Sequence, residues 1–468
     1  MKITNKDIIW SYLSQIFQIG ASIFILPILL KKLSSDEVGI WYIFMSFSAM
    51  INLLDFGLSP TFSRNISYIF SGAKNLSAEG IELEISKEVD YFLLKNTINS
   101  VKKIYMYISL TIMIIFGTGG SLYIKTLIQG NKNLDFNIIM FAWYIYIFSL
   151  AFNFYYYYFT PMLLGRGLIK ESHKTIVFTK IGYLCIAYFL IQFNYGLLGI
   201  AIANLVSSFI NRISSYKYFY DEKIKKNMEK IKSDKKEEKR ITKIILKNSS
   251  KLGTVSIGAF LINKSSILIV SKYVDLKTIA NYGITLQVIS LLATVSSVLF
   301  NTYLPIINYL RIQKKKIKIK EIFSKAIFIN YIIYLIGSLF LFSFGNKILE
   351  ILKSNTLLLD NKYLILLLII YFLEMNHSIA ATLITTKNTV PFLKPALISG
   401  VIIVILMLLS LNFTNLGLYG VILSQGLVQL AYNNWKWPME VSKDLSINYL
   451  EILKSGFSLI LYRRKNGE

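Results

Sequence analysis

The chain has 468 residues, of which 54% are hydrophobic and only 16% charged. A soluble domain carries roughly 25% charged residues, so the deficit excludes an ordinary cytosolic protein. One cysteine and two histidines exclude a disulfide scaffold and a Cys- or His-rich metal centre. The net charge of +25 sits in the loops between apolar runs, which assigns it to membrane topology and anionic lipid headgroups, not to nucleic acid.

Apolar runs of about 20 residues, enough to cross a ~30 Å hydrocarbon core, recur along the whole chain. The first, 8–30, follows Lys2 and Lys6. It is too long for the h-region of a secretory signal and is read as an uncleaved span. Further spans are expected near 38–60, 104–124, 137–160, 174–193 and 196–216, then 245–271, 279–303, 322–344, 361–385, 391–411 and 416–435. About twelve transmembrane helices in an all-α fold are expected.

With the amino terminus inside, the cytoplasmic loops hold Arg64, Lys74, Lys87, Lys95, Lys102 and Lys103, then Arg166, Lys170 and Lys174, then 217–243 and 311–320. Both termini are therefore expected in the cytoplasm. Residues 221–240, DEKIKKNMEKIKSDKKEEKR, form the most polar stretch and are read as a solvated connector between two lobes. The domain reading is a first lobe at 1–220, a basic linker at 221–243, a second lobe at 244–436 and a cytoplasmic tail at 437–468. Two mixed segments, 81–103 and 442–462, are expected to lie along the headgroups.

The two halves share weak internal similarity. Asn194-Tyr-Gly-Leu-Leu-Gly199 matches Asn415-Leu-Gly-Leu-Tyr-Gly420 at an offset of 221 residues, which also carries Gly165-Arg166-Gly167 onto Thr386-Lys387-Asn388. An even number of spans per half makes the repeats parallel, related by an axis along the membrane normal. Two such lobes enclosing a cavity form a transporter architecture.

A charge near the bilayer centre costs roughly 2.5–3.5 kcal/mol on insertion scales, so its presence asks for a reason. Asp55, Lys264 and Glu374 qualify. The offset of 221 sets Asn153 opposite Glu374. Glu374 and His377 lie three apart on one helical face, which suits loading of a proton or cation; a structural pair between Glu374 and Lys264 is the alternative. Lys264, Arg64, Arg166 and Lys180 are candidates for holding a phosphate by charge-assisted hydrogen bonds, against a purely topological role for the last three. The aromatic run at 154–159 ends span four and reads as an interfacial belt or as a sugar-stacking surface. No GxxxxGK[ST], HExxH or GxSxG motif occurs, so neither an enzyme nor a cofactor is expected.

Ser35-Asp36-Glu37-Val38-Gly39-Ile40-Trp41 followed by Leu53-Leu54-Asp55-Phe56-Gly57-Leu58 and then Arg64 resembles the Wzx-type O-antigen flippases, a branch of the MATE-like MOP exporter superfamily. The resemblance covers the whole layout of two six-helix bundles. It implies an undecaprenyl-diphosphate oligosaccharide carried from the cytoplasmic to the periplasmic leaflet of a bacterial inner membrane by alternating access, with proton or sodium coupling. It also implies a polysaccharide polymerase and a chain-length regulator as partners, with Asp55, Gly57 and Arg64 as the motif's own residues. A cation-coupled drug exporter and a membrane-bound polymerase are the competing functions.

Overall fold

The computed structural model describes residues 5–76, 88–131, 133–387, 391–448, 451–452 and 454–458. Every regular element among them is helical, as a chain must be when hydrocarbon supplies no partner for backbone N–H and C=O groups. Nine helical stretches among the described residues are long and apolar enough to cross a bilayer, five of them between Ser35 and Phe219 and four between Leu276 and Phe413. The protein is a multi-pass membrane protein. Its chain divides into two compact units, Met1–Ile257 and Gly258–Glu468.

In the first unit, α1 (Asn5–Lys32) and α2 (Ser35–Asn52) lead through a 3₁₀ turn, Leu53–Asp55, to α3 (Leu58–Phe70). α4 (Tyr91–Ile115) continues through a π-helical turn, Phe116–Gly120, into α5 (Ser121–Ile128). Then follow α6 (Phe136–Tyr155), α7 (Phe159–Arg166), α8 (Ile169–Gln192), α9 (Gly196–Phe219), α10 (Glu222–Glu229) and α11 (Lys235–Asn263). α8 packs on α1 and α9, α6 on α9 and α4, and α3 on α7.

Local chemistry explains the boundaries. Ser34 and Glu37 close a reciprocal cap on α2, the Ser34 hydroxyl accepting from the Glu37 N–H at 3.2 Å and the Ser34 N–H donating to the Glu37 carboxylate at 2.9 Å. One glycine of the π turn admits a close neighbour: a Cβ on Gly120 would stand 2.7 Å from the Trp143 ring. That ring packs on Phe44 and Phe47 with centroids 4.9 and 5.1 Å apart, and its N–H donates to Ser121 at 3.0 Å.

Two expectations about the cytoplasmic segments change. The described part of 81–103 is no separate surface helix, because Tyr91 onward is the first half of α4; residues 81–87 lie outside the described residues. The basic stretch 221–243 is no solvated connector either. Asp221 caps α10 by accepting from the Ile224 N–H at 2.9 Å, and Ile224 is buried. From α4, Lys95 donates to the carbonyls of Met228 and Ile231 at 2.8 and 2.6 Å, and Asn96 accepts from the Asp234 N–H at 2.8 Å. Asn99 donates to the buried Glu238 carboxylate at 2.9 Å, and Lys103 forms an ion pair with it. These residues share one α4 face at helical spacing, so the linker is folded onto the first unit. Burial alone would push the Glu238 carboxyl up, but Lys103 and Asn99 outweigh it and hold the group below the usual glutamate range.

The second unit takes the end of α11, then α12 (Ser265–Val270), α13 (Leu276–Ile312), α14 (Lys316–Ile351), α15 (Asn361–Thr385), α16 (Leu393–Phe413), α17 (Gly417–Ala431) and α18 (Asn433–Leu445). α13 pairs with α14, α15 with α13 and α18, and α16 with α17. Phe300, Phe323, Ile327, Met375, Leu383 and Trp437 meet in its core. The last turns of α11 press on α16, where a Cβ on Gly400 would stand 2.7 Å from Leu261. Gly456 and Phe457, in the described part of 442–462, pack on α14 through the Ser324 carbonyl and Phe328.

The sequence repeat returns as backbone geometry. Gly196 and Gly417, 221 residues apart, both begin a helix at φ +52°. Gly199 and Gly420, at the same offset, are both close-approach positions, where a Cβ would stand 2.9 Å from Leu190 and 1.7 Å from the Ser410 hydroxyl.

Candidate functional site

Two helices of the first unit break against one another. The chain turns from α2 into α3 because Phe56 and Gly57 take left-handed angles, φ +45° and +76°. That region is easy for glycine and costs a residue with a Cβ about 1–2 kcal/mol. Phe56 is held in it from outside: a Cβ on Gly253 of α11 would stand 2.2 Å from the Phe56 ring. Asp55 anchors the turn by accepting from the Ser59 N–H at 3.3 Å, the Ser59 hydroxyl at 3.0 Å and the Tyr105 hydroxyl at 2.5 Å. A carboxylate at the start of α3 also complements the helix dipole.

The aromatic run does not end the fourth span but splits it. α6 stops at Tyr155, residues 156–158 turn, and α7 begins at Phe159. Tyr105, fully buried, packs on Phe154, Tyr157 and Tyr158 with centroids 5.6 to 6.3 Å apart. One side chain of α4 therefore pins both breaks.

α3 and α7 approach closely at Gly165, where a Cβ would stand 2.4 Å from the Ser63 carbonyl. Beside this contact lies a cavity of about 610 Å³. Ser59, Ser63, Ser67, Tyr68, Tyr157 and Thr160 line it with hydroxyls, Arg64 supplies a guanidinium, and Pro60, Pro161 and Leu164 complete the wall. Among the described residues no carboxylate lines it, and Arg64 has no hydrogen bond or ion pair. A fork of five N–H donors within a ring of hydroxyls suits a phosphate or a polyol.

The other residues singled out from the first half are dispersed. Arg166 is already engaged: it donates to the Phe219 carbonyl at 2.6 Å, pairs with Asp221 and lies 5.7 Å from the centroids of Phe70 and Phe219. It closes the end of α9. Asn153 on α6 is exposed, Lys180 on α8 is half-buried, and neither makes a hydrogen bond among the described residues.

In the second unit, Glu374 and His377 do share a face of α15, with Glu374 Oε2 3.8 Å from His377 Nδ1. His377 Nδ1 faces Asn434 Oδ1 of α18 at 2.9 Å. Among the described residues, Glu374 Oε1 and Asn434 Nδ2 are buried with no hydrogen-bond partner, as are Gln425 Nε2 and Gln429 Nε2 of α17. The structural pair between Glu374 and Lys264 does not form. Lys264 interrupts the helix between α11 and α12, is exposed, and has no ion pair among the described residues. α15 runs unbroken where α6 and α7 are split, so the offset pairing Asn153 with Glu374 joins unlike surroundings.

Sequence reasoning missed two residues. Tyr105 was one tyrosine among 31. Arg212 of α9 lies within an apolar run, and that was its only signal; its guanidinium sits 4.3 to 4.8 Å from the centroids of Tyr156, Phe159 and Tyr216, and its Nη1 is buried without a hydrogen-bond partner among the described residues.

Among solved structures, the chain is similar to an inward-facing multidrug resistance MATE transporter of the MOP superfamily, with a TM-score of 0.67 and 14% identity over 92% of this chain and 95% of that one. This is a MATE-like fold. The MATE-like fold is shared with the lipid II flippase MurJ in an inward closed conformation, with a TM-score of 0.61 and 14% identity over 98% of this chain and 92% of that one. A MOP superfamily transporter from Pyrococcus furiosus, described by the reverse polarity of its binding pocket, gives a TM-score of 0.51 and 14% identity over 96% of this chain and all of that one. No family model and no curated protein matches the sequence. At such identity the MATE-like fold carries architecture and not residue roles.

Proposed function

We propose that the protein is a flippase that carries a lipid-linked oligosaccharide, in the chemical class of undecaprenyl-diphosphate repeat units, between the leaflets of a bacterial inner membrane. The observation that carries this reading is the Arg64 cavity: an unpaired guanidinium, six hydroxyl side chains and no lining carboxylate among the described residues. A diphosphate joined to sugars needs a cation and a hydroxyl-rich wall during transit, while its tail stays in hydrocarbon. The MATE-like fold supports transport by alternating access, and one structural neighbour is itself a lipid II flippase.

In this proposal Arg64 receives the cargo in the first unit, Lys264 is a separate candidate cation of the second, and Asp55 shapes the Arg64 cavity by fixing the α2–α3 turn. Glu374 with His377 is the proton or cation coupling site, supported by the buried unpartnered Glu374 Oε1. Both termini lie in the cytoplasm. A polysaccharide polymerase and its chain-length regulator receive the product, and anionic lipids meet the basic cytoplasmic face.

Deletion of the gene tests the function: lipid-linked repeat units should accumulate on the cytoplasmic leaflet while surface polymer disappears. Glu374→Gln and Lys264→Ala should each insert normally and lower surface polymer. Glu374 favours a second reading, a cation-coupled drug exporter, because MATE transporters share the fold. Unchanged polymer together with altered drug tolerance would establish that reading instead.

A further inference from the structure

A second cation of the first unit stands apart from the lining of the Arg64 cavity. The guanidinium carbon of Arg212 sits 4.3, 4.4 and 4.8 Å from the ring centroids of Phe159, Tyr156 and Tyr216. Rings against a guanidinium attract its charge, but they are no substitute for acceptors of its five N–H donors. Among the described residues none of those donors has an acceptor: Nη1 is buried without a partner, and Nε and Nη2, which are not sealed off, form no hydrogen bond or ion pair. Arg166, Arg240 and Arg311, by contrast, each hold a carboxylate and a second oxygen. Arg212 is therefore a half-buried cation with no counter-charge among the described residues.

The surroundings add to the charge. Lys225 of α10 places its ammonium 5.6 Å from the centroid of Tyr216, so two cations share one ring. Tyr220 packs on Tyr216 at 4.9 Å, and neither hydroxyl forms a hydrogen bond among the described residues. Asp221, the next residue in the chain, is already committed to Arg166 and to the α10 cap. The cluster sits where a helix leaves the hydrocarbon: Arg212 is seven residues from the end of α9, about 10 Å by helical rise, and Tyr216, Tyr220 and Lys225 extend it outward. Two cations and free hydroxyls at that depth match a phosphate, whose oxygens accept from a guanidinium edge in pairs. A sugar alone would leave both charges unmatched, and an acyl chain would leave every donor unmade.

We propose that Arg212 and Lys225 hold a phosphate group at the end of α9, supplied by an anionic phospholipid or by a lipid-linked diphosphate. The site does not depend on the proposed function, because either source presents the same oxygens. Lys225 belongs to the folded linker, so an occupied site ties the start of α10 to the membrane surface.

The test uses the full-length protein in dodecylmaltoside, a detergent without phosphate, titrated with phosphatidylglycerol in one arm and polyprenyl diphosphate in the other, and reads bound lipid by native mass spectrometry. In at least one arm the tightest binding should weaken about tenfold in Arg212→Gln and about threefold in Lys225→Gln, with Arg212→Lys between the parent and Arg212→Gln. Lys226→Gln, at an exposed neighbouring position, should leave it unchanged. Dependence on Arg212 in the phosphatidylglycerol arm identifies a membrane headgroup as the occupant, in the polyprenyl diphosphate arm the cargo, and in both a shared seat. Thermal unfolding checks that Arg212→Gln folds, and Lys225→Gln, at an exposed position, carries the test if it does not. Binding that both variants leave unchanged in both arms, or that Lys226→Gln weakens equally, would overturn the proposal and reduce Arg212 to a packing cation. The deletion phenotype tests the flippase reading separately.

Discussion

Tyr105 donates its phenolic hydrogen to Asp55 across 2.5 Å, joining the middle of α4 to the turn between α2 and α3. The same ring packs on Tyr157 and Tyr158 at the break between α6 and α7. The walls of the Arg64 cavity thus depend on a hydrogen bond between residues 50 apart in the chain. Tyr105→Phe keeps the ring and deletes this bond. It should lower stability by about 1–3 kcal/mol, read as a reduced unfolding temperature in detergent, since a half-buried carboxylate loses a donor. A Tyr105→Phe protein as stable as the parent would show that Ser59 alone holds Asp55.

Arg64→Gln should leave folding intact, because the side chain is exposed and holds no partner among the described residues. Cargo affinity should fall roughly 10- to 100-fold, the equivalent of a charge-assisted hydrogen bond of about 1.5–3 kcal/mol. Arg64→Lys should recover part of it, since an ammonium keeps the charge but not the fork. Flipping of a fluorescent lipid-linked sugar in proteoliposomes measures both.

Glu238 gives the linker a pH dependence. Its folded carboxyl lies below the usual glutamate range, so its contribution is fully present at neutral pH and is lost as pH falls through the folded value. Glu238→Gln should cost about 1 kcal/mol at pH 7 and nothing in strong acid, where both proteins hold a neutral group. Unfolding scans of the two proteins across acidic pH measure the convergence.

Asp444 of α18 receives Arg311 from the end of α13 and Lys387 from beyond α15, the latter at 3.2 Å. Arg311 is largely buried, at 16% side-chain exposure, and Lys387 is not, at 46%. Asp444→Asn should therefore destabilise by about 2–3 kcal/mol, leaving a largely buried guanidinium without its counter-charge and with only Thr386 at 3.1 Å as a hydrogen-bond partner, whereas Lys387→Ala should cost no more than about 1 kcal/mol. Equal effects would refute the assignment of Arg311 as the partner that matters.

Gly196→Ala should destabilise more than Gly417→Ala. Both substitutions impose a Cβ at φ +52°, worth about 1–2 kcal/mol. At Gly196 the new carbon also meets the Glu37 carboxylate 2.8 Å away, while at Gly417 the space is open. Unfolding temperatures of the two variants rank the effects.

Several features were legible because they are local or periodic. The offset that aligned Asn194–Gly199 with Asn415–Gly420 reappears as two helix starts at the same left-handed glycine angle. Asp55 was singled out as a charge inside a span, and it does anchor a turn. The fate of Arg166 was not legible: its positive-inside position explained it equally well, and only the fold brings Asp221 and the Phe219 carbonyl to its guanidinium. Lys264 and Glu374 were each conspicuous, yet composition could not tell whether they met, and they do not.

The amino-acid sequence by itself determined that this chain lives in a bilayer as a repeated series of helices, because hydrocarbon leaves the backbone no other way to satisfy its polar groups. Left-handed glycines and capping boxes mark where those helices turn. Only the tertiary structure decided that Tyr105 pins two broken helices, that the basic linker folds onto α4 and that Arg64 stands among hydroxyls with no ion-pair partner among the described residues. Those relationships join residues far apart in the chain, and no helical period relates one partner to the other.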